Sequence, residues 1–178
     1  MKIAIASDIH GSYPAAEAFF YMAEKLGATR FVLLGDLYYH GVRNPLPEGY
    51  APMNVAELLN ARAKELIVIK GNCDSDVDQT VSVFEFQKSA LLTLGDKTVF
   101  CTHGDRYDKD NLPCGAYDVM LYGHFHTGFI ERKGDLLIAN PGSLSLPKGG
   151  TEKSFLLLDE KRLALYALTG NLIAEAAL

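Results

Sequence analysis

The sequence has no excess of positive charge. Seventeen Lys and Arg stand against 22 Asp and Glu, a formal net charge of −5. A protein built to coat nucleic acid normally shows the opposite balance, so stable nucleic-acid binding is not expected. A phosphodiester substrate stays open, because a bound cation can supply positive charge locally. Cysteine is scarce. The three present, Cys73, Cys101 and Cys114, are too few and too uneven for a disulfide framework, and they suit a reducing cytoplasm. Long apolar runs are missing as well. Lys2 is followed only by Ile3 to Ala6 before Ser7 and Asp8 break the run, which is too short for a signal-peptide core. No window approaches the ~18 apolar residues of a membrane helix, and the apolar stretch Leu172 to Leu178 cannot span one. No membrane partner is expected. There is no internal repeat, no low-complexity segment and no composition shift that would mark a linker.

What is present is the make-up of a globular protein: 178 residues, 48% hydrophobic and 22% charged. This length suits one domain spanning 1–178 with a substantial core. Ile3 to Ala6, Phe31 to Leu34 and Leu66 to Ile69 read as short buried strands. Between them, Pro14 opens a helix running from Ala15 to Leu26, and Asn54 caps a second one reaching Arg62. Tyr38 to Pro52 holds three prolines and reads as a long loop, of the kind usually tied to function. Beyond residue 89 the pattern becomes antiparallel. Ala90–Leu94 pairs with Lys97–Thr102, Phe129–Arg132 with Leu136–Ala139, and Ser154–Leu158 with Leu163–Leu168, with one more strand at Asp118–Tyr122. The expectation is an α/β domain with a mixed sheet, or two sheets packed together.

Five of these apolar runs share a habit: each ends in a polar, glycine-flanked cluster. The clusters are Asp8-Ile9-His10-Gly11, Gly35-Asp36, Gly71-Asn72, His103-Gly104 and Gly123-His124-Phe125-His126. Ligands of open α/β sheets bind beyond the carboxyl ends of the strands, so adjacent strands would gather all five at one edge. Asp8/His10 and His124/His126 would each share a face if the backbone there is extended. Two carboxylates, one amide oxygen and four imidazoles suit Mn²⁺, Fe²⁺, Zn²⁺, Co²⁺ or Ni²⁺ better than Ca²⁺. Seven donors exceed the four that one zinc takes, so two divalent transition-metal ions are the natural count. Two such ions clamp the attacking and leaving oxygens of a phosphoryl displacement. Their charge explains how an acidic chain would hold an anionic ester.

The order Asp-x-His, Gly-Asp, Gly-Asn-x-Asp, His and Gly-His-x-His over residues 8 to 126 resembles the calcineurin-like metallophosphoesterase superfamily. Within it, Gly71-Asn72-Cys73-Asp74, His40-Gly41-Val42-Arg43-Asn44, Asn111-Leu112-Pro113 and Asn140-Pro141-Gly142-Ser143 resemble the YfcE-type phosphodiesterases. The resemblance implies a two-sheet mixed β sandwich flanked by helices. It also implies a metal-dependent phosphodiesterase acting through a metal-bridging hydroxide on a small phosphodiester, with manganese the preferred ion. One ion would be held by Asp8, His10, Asp36 and His126, the other by Asp36, Asn72, His103 and His124, with Asp36 shared.

The sequence departs from the superfamily at Cys73, where a histidine helps the leaving group depart. A thiol is a poorer acid for this, with an unperturbed pKa of about 8.5, so slow turnover or a preference for good leaving groups is expected. His40 would replace it if the proline-rich loop folds over the site. Arg43 is a candidate clamp for two phosphate oxygens, set against a solvated loop arginine. The alternatives are a catalytically weak scaffold of the same fold, as in the retromer subunit, and a phosphomonoesterase or nucleotide pyrophosphatase. Complete retention of the seven donors argues against the scaffold, and the scarcity of cations argues against a monoesterase. The apolar C-terminal strand offers a contact for a homo-oligomer.

Overall fold

A computed structural model describes all residues from Met1 to Leu178. The chain runs β1 (Ile3–Ala6), α1 (Tyr13–Lys25), β2 (Arg30–Leu33), α2 (Pro52–Ala61), a 3₁₀ turn (Ala63–Glu65), β3 (Leu66–Ile69), α3 (Asp76–Thr80) and β4 (Phe86–Gln87). It continues with β5 (Ala90–Leu94), β6 (Lys97–Cys101), β7 (Val119–Leu121), β8 (Gly128–Lys133), β9 (Leu136–Pro141), β10 (Ser154–Leu158), β11 (Arg162–Ala167) and β12 (Leu172–Ala177). Two sheets result: a seven-stranded one in the order β12-β11-β10-β1-β2-β3-β4, and a five-stranded one in the order β5-β6-β7-β9-β8.

Alternation along the strands explains the layers. Ile3 and Ile5 point into the space between the sheets, where they meet Val32, Leu34, Val99 and Leu121. Ala4 and Ala6 face the other way, onto Phe19 and Phe20 of α1 and the Val55 and Leu59 side of α2. Small residues on that face let the helices approach closely, and a period of two divides each strand between two cores. β1, β2 and β3 run parallel, and so do β6 and β7. Their carboxyl ends therefore open on a common rim. The outer face of the five-stranded sheet is covered by the aromatic side chains of Tyr107 and Tyr117 rather than by a helix. No helix is long and apolar enough to cross a membrane.

Two local readings are corrected. Helix α2 starts at Pro52 with Ala51 as its cap, not at Asn54. Proline fits the first helical position because the N–H it lacks would be unpaired there anyway. Helix α3 was not anticipated, although Ser75 and Asp78 form a reciprocal capping box, which is a readable signal. The apolar C-terminal strand expected from Leu172 onward is present and pairs with β11 at the sheet edge, leaving Leu172 and Ile173 exposed.

Candidate metal centre and its cleft

Five residues other than glycine adopt a left-handed backbone: Asp8 (φ 57°), His10 (49°), Asp36 (55°), His124 (66°) and His126 (60°). All five are donors expected from the sequence. Such conformations cost roughly 1–3 kcal/mol each and persist only where the surroundings over-determine them. The extended backbone expected for Asp8/His10 and His124/His126 is thus replaced by sharp turns just beyond the strand ends. Those turns fold each pair inward, where an extended chain would carry it past the rim.

The donors form two groups that share Asp36. In the first, Asp8 Oδ1 lies 3.2 Å from His126 Nε2 and 3.6 Å from His10 Nε2, and Asp36 Oδ2 lies 3.8 Å from His10 Nε2. In the second, Asp36 Oδ1 lies 3.5 Å from His103 Nε2. That nitrogen is in turn 3.0 Å from Asn72 Oδ1 and 3.3 Å from His124 Nδ1. Six of the seven donors come from turns after β1, β3, β6 and β7, and the shared one follows β2.

The outer faces of these rings show what the inner faces are for. His10, His103 and His126 each donate Nδ1–H to a backbone carbonyl, of Tyr39, Leu34 and Leu146 respectively, at 2.7 Å. A carbonyl can only accept, so the proton sits on Nδ1 and Nε2 turns inward. This is the arrangement that orients metal-binding imidazoles. His10 Nε2 and His126 Nε2 then face each other at 3.2 Å, and the buried Asp8 Oδ1 has no hydrogen-bond donor. Acceptors so crowded call for a cation among them.

The electrostatics agree. Burial opposes the charge on Asp8, but the neighbouring rings of His10, His126 and His103 outweigh it and hold the carboxyl well below its usual range. Asp36 is likewise held low, the adjacent His103 ring outweighing burial. Burial would depress His103, yet the adjacent carboxylates of Asp36 and Asp8 raise it to about 9. His10 is raised in the same sense by Asp8, against burial. His124 is lowered by burial and by its neighbour His103. The pocket thus attracts positive charge, and the residues fit divalent ions with mixed nitrogen and oxygen ligands.

Groups that are not donors themselves hold the turns. Buried Asp74 accepts the backbone N–H of Asp36, Leu37 and Gly71 at 2.7–2.8 Å. Burial and the nearby charge of Asp36 raise it to about 6 in spite of those bonds. Asn140 donates to the Gly123 carbonyl at 2.7 Å, and Ser143 donates to the Asp8 carbonyl at 2.7 Å. Asn140 to Ser143 is therefore a brace for the site as well as a turn. The clue was its position, directly after a strand like the five donor clusters.

A cleft of about 800 Å³ opens over the donors, lined among others by Asp36, Asn72, Cys73, His124 and His126. Arg43, exposed on the loop after β2, lines it, as does Lys148, which the sequence reading passed over. Cys73 borders it half-buried, its thiol raised to about 12 by burial and by the charge of Asp36. His40 does not line this cleft. Its ring packs against Tyr39 and Tyr50 at 4.7 and 5.5 Å, and its buried Nδ1 has no partner. The fold offers no support for His40 as the acid.

Comparison with known proteins places this geometry. The chain is 44% identical to phosphodiesterase YfcE of Escherichia coli K12, with 100% of this chain and 98% of the relative covered. A solved structure of the YfcE phosphoesterase of E. coli superposes with a TM-score of 0.95 at 43% identity, covering 99% of each chain. Vps29 of Chaetomium thermophilum shares the fold, with a TM-score of 0.69 at 16% identity over 100% of this chain and 97% of its own. The model of the calcineurin-like phosphoesterase superfamily domain matches residues 1–162. On this full-length likeness and the family match over residues 1–162, the chain belongs to the calcineurin-like phosphoesterase superfamily.

Proposed function

We propose that the protein is a metal-dependent phosphodiesterase of the cytoplasm, acting on small phosphodiesters through two divalent ions, and that residues 1–178 form its single domain. The observation that carries this reading is the pair of donor groups sharing Asp36, with Nε2 of three histidines turned inward by backbone carbonyls. Asp8, His10, Asp36 and His126 would hold one ion, and Asp36, Asn72, His103 and His124 the other. A mixed carboxylate, amide and imidazole set without thiolate accepts Mn²⁺, Fe²⁺, Zn²⁺, Co²⁺ or Ni²⁺, and Mn²⁺ is the ion proposed. When bound, two such ions supply an activated water at neutral pH and neutralise charge growing on the phosphoryl oxygens. The full-length likeness to a protein named phosphodiesterase supports the same substrate class.

The remaining work falls to side chains of the cleft. Arg43 and Lys148 bring positive charge to the rim, which complements an anionic ester. Cys73 stands in the cleft beside Asn72, and a thiol, with an unperturbed pKa of about 8.5, is a weaker proton donor for the departing alkoxide than an imidazolium. Esters whose leaving groups need no protonation are therefore favoured. All three cysteines are free thiols, in keeping with a reducing compartment.

The test is to strip the protein of metal and return Mn²⁺, Ni²⁺, Zn²⁺ and Mg²⁺ singly, with bis-p-nitrophenyl phosphate against p-nitrophenyl phosphate as substrates. Metal-dependent diester cleavage that exceeds monoester cleavage is the expected result. Folded protein that binds two ions and cleaves neither ester would turn the reading to a scaffold of the same fold.

A further inference from the structure

Phe125 stands between two candidate ligands, His124 and His126, yet leaves 47% of its surface exposed. It lines the cleft. Its ring is held by near-perpendicular contacts to Tyr122, at 6.0 Å and 79°, and to His124, at 5.2 Å and 86°. Two more apolar groups on the same cleft are also uncovered: Tyr39, 39% exposed, and Val42, 85% exposed. Isolated exposed apolar residues need no explanation, but a cluster inside a concave site marks a binding surface. The cleft, at about 800 Å³, lies in the range of roughly 300–1,000 Å³ that accommodates whole ligands. It is far larger than a phosphate group requires. Arg43 and Lys148 on the same cleft complement an anion.

We propose that Phe125, in a cleft also lined by Tyr39 and Val42, is the platform on which an ester group of the substrate stacks. The substrate class is then an anionic phosphodiester carrying a planar aromatic group of nucleobase size. The phosphate sits over the donor groups, and the ring lies against Phe125. This deepens the phosphodiesterase reading above and rests on it. The long loop after β2 gains a purpose, since it carries Tyr39, Val42 and Arg43 to one side of the cleft.

The experiment holds the leaving group constant and varies the group retained. Manganese-loaded enzyme is assayed with thymidine 5′-(p-nitrophenyl phosphate) and with methyl p-nitrophenyl phosphate, both of which release p-nitrophenolate. The wild type prefers the thymidine ester in kcat/KM. F125A lowers that preference about tenfold, within the range of base–aromatic stacking measured by alanine substitution. F125Y keeps the preference and F125L does not. A wild-type preference near one, a preference unmoved by F125A, or one lost equally in F125Y overturns the proposal. If neither ester is cleaved, the phosphodiesterase reading falls, and calorimetric titration with thymidine 5′-monophosphate and methyl phosphate tests the platform alone. Tighter nucleotide binding that F125A abolishes sustains it, and equal binding of the two ligands refutes it.

Discussion

Ser143 donates its hydroxyl to the backbone carbonyl of Asp8 at 2.7 Å, across 135 residues of chain. Ser145 reaches the same carbonyl at 3.2 Å. Two buried hydroxyls on one carbonyl fix the left-handed turn that presents Asp8 to its histidines. The donor geometry therefore depends on a segment that follows β9 and contains no donor itself.

Ser143→Ala tests that brace. The variant leaves the weaker Ser145 bond in place and removes a buried partner, so a stability loss of about 1–3 kcal/mol is expected. Metal affinity should fall roughly 10–100-fold, as for other groups that orient ligands. Calorimetry with Mn²⁺ and a denaturant titration read the two effects separately. Full affinity in the presence of a stability loss would show that the brace serves only the fold.

Asp36 is the one donor within reach of both groups. Native mass spectrometry should find two ions per wild-type chain and fewer in Asp36→Asn. Diesterase activity should drop by more than the roughly 10–100-fold that outer partners cost. Chelation of the wild type should lower its Tm, because ions that bind only the folded state stabilise it by mass action. An unchanged ion count in Asp36→Asn would refute the shared position.

Gly123 has no room for a side chain. A Cβ there would overlap Ser7 Oγ and come within 2.8 Å of Asp8 Oδ2. Gly123→Ala should cost about 1–3 kcal/mol through overpacking and displace the Asp8 carboxylate. Adding Ser7→Ala removes the nearer obstacle, so the double variant should recover part of the stability. Independent, additive losses would show that the two residues do not compete for the space.

Cys73 predicts a leaving-group dependence. In the wild type, rates should fall steeply as the leaving alcohol becomes a weaker acid. Cys73→His introduces a group whose unperturbed pKa is about 6.5. It should raise turnover of poor leaving groups at least about tenfold relative to p-nitrophenolate, a modest part of the 10²–10⁴ that a placed acid contributes. A slope near zero in the wild type would remove the premise.

Much of the candidate site is legible in the sequence. The runs ending at Asp8, Asp36, Asn72, His103 and His124 were distinguishable because buried strands are apolar and their glycine-flanked ends are not. Helix α3 and the two-residue β4 were missed for the converse reason. Five and two residues are too few to display a period. His40 shows the limit for single side chains: its neighbours in sequence, Tyr39 and Gly41, line the cleft and it does not, its ring packing on Tyr39 and Tyr50.

The sequence alone determined which donors exist, in what order, and that each lies just past a buried strand, since those properties are local. Only the tertiary structure decided that the strands come from two sheets whose carboxyl ends share a rim. It also decided that the donor turns are left-handed rather than extended, and that Asp74, Asn140 and Ser143 hold them. Those features come from packing and hydrogen bonds between distant segments, which can pin a backbone in conformations that its own residues would not choose.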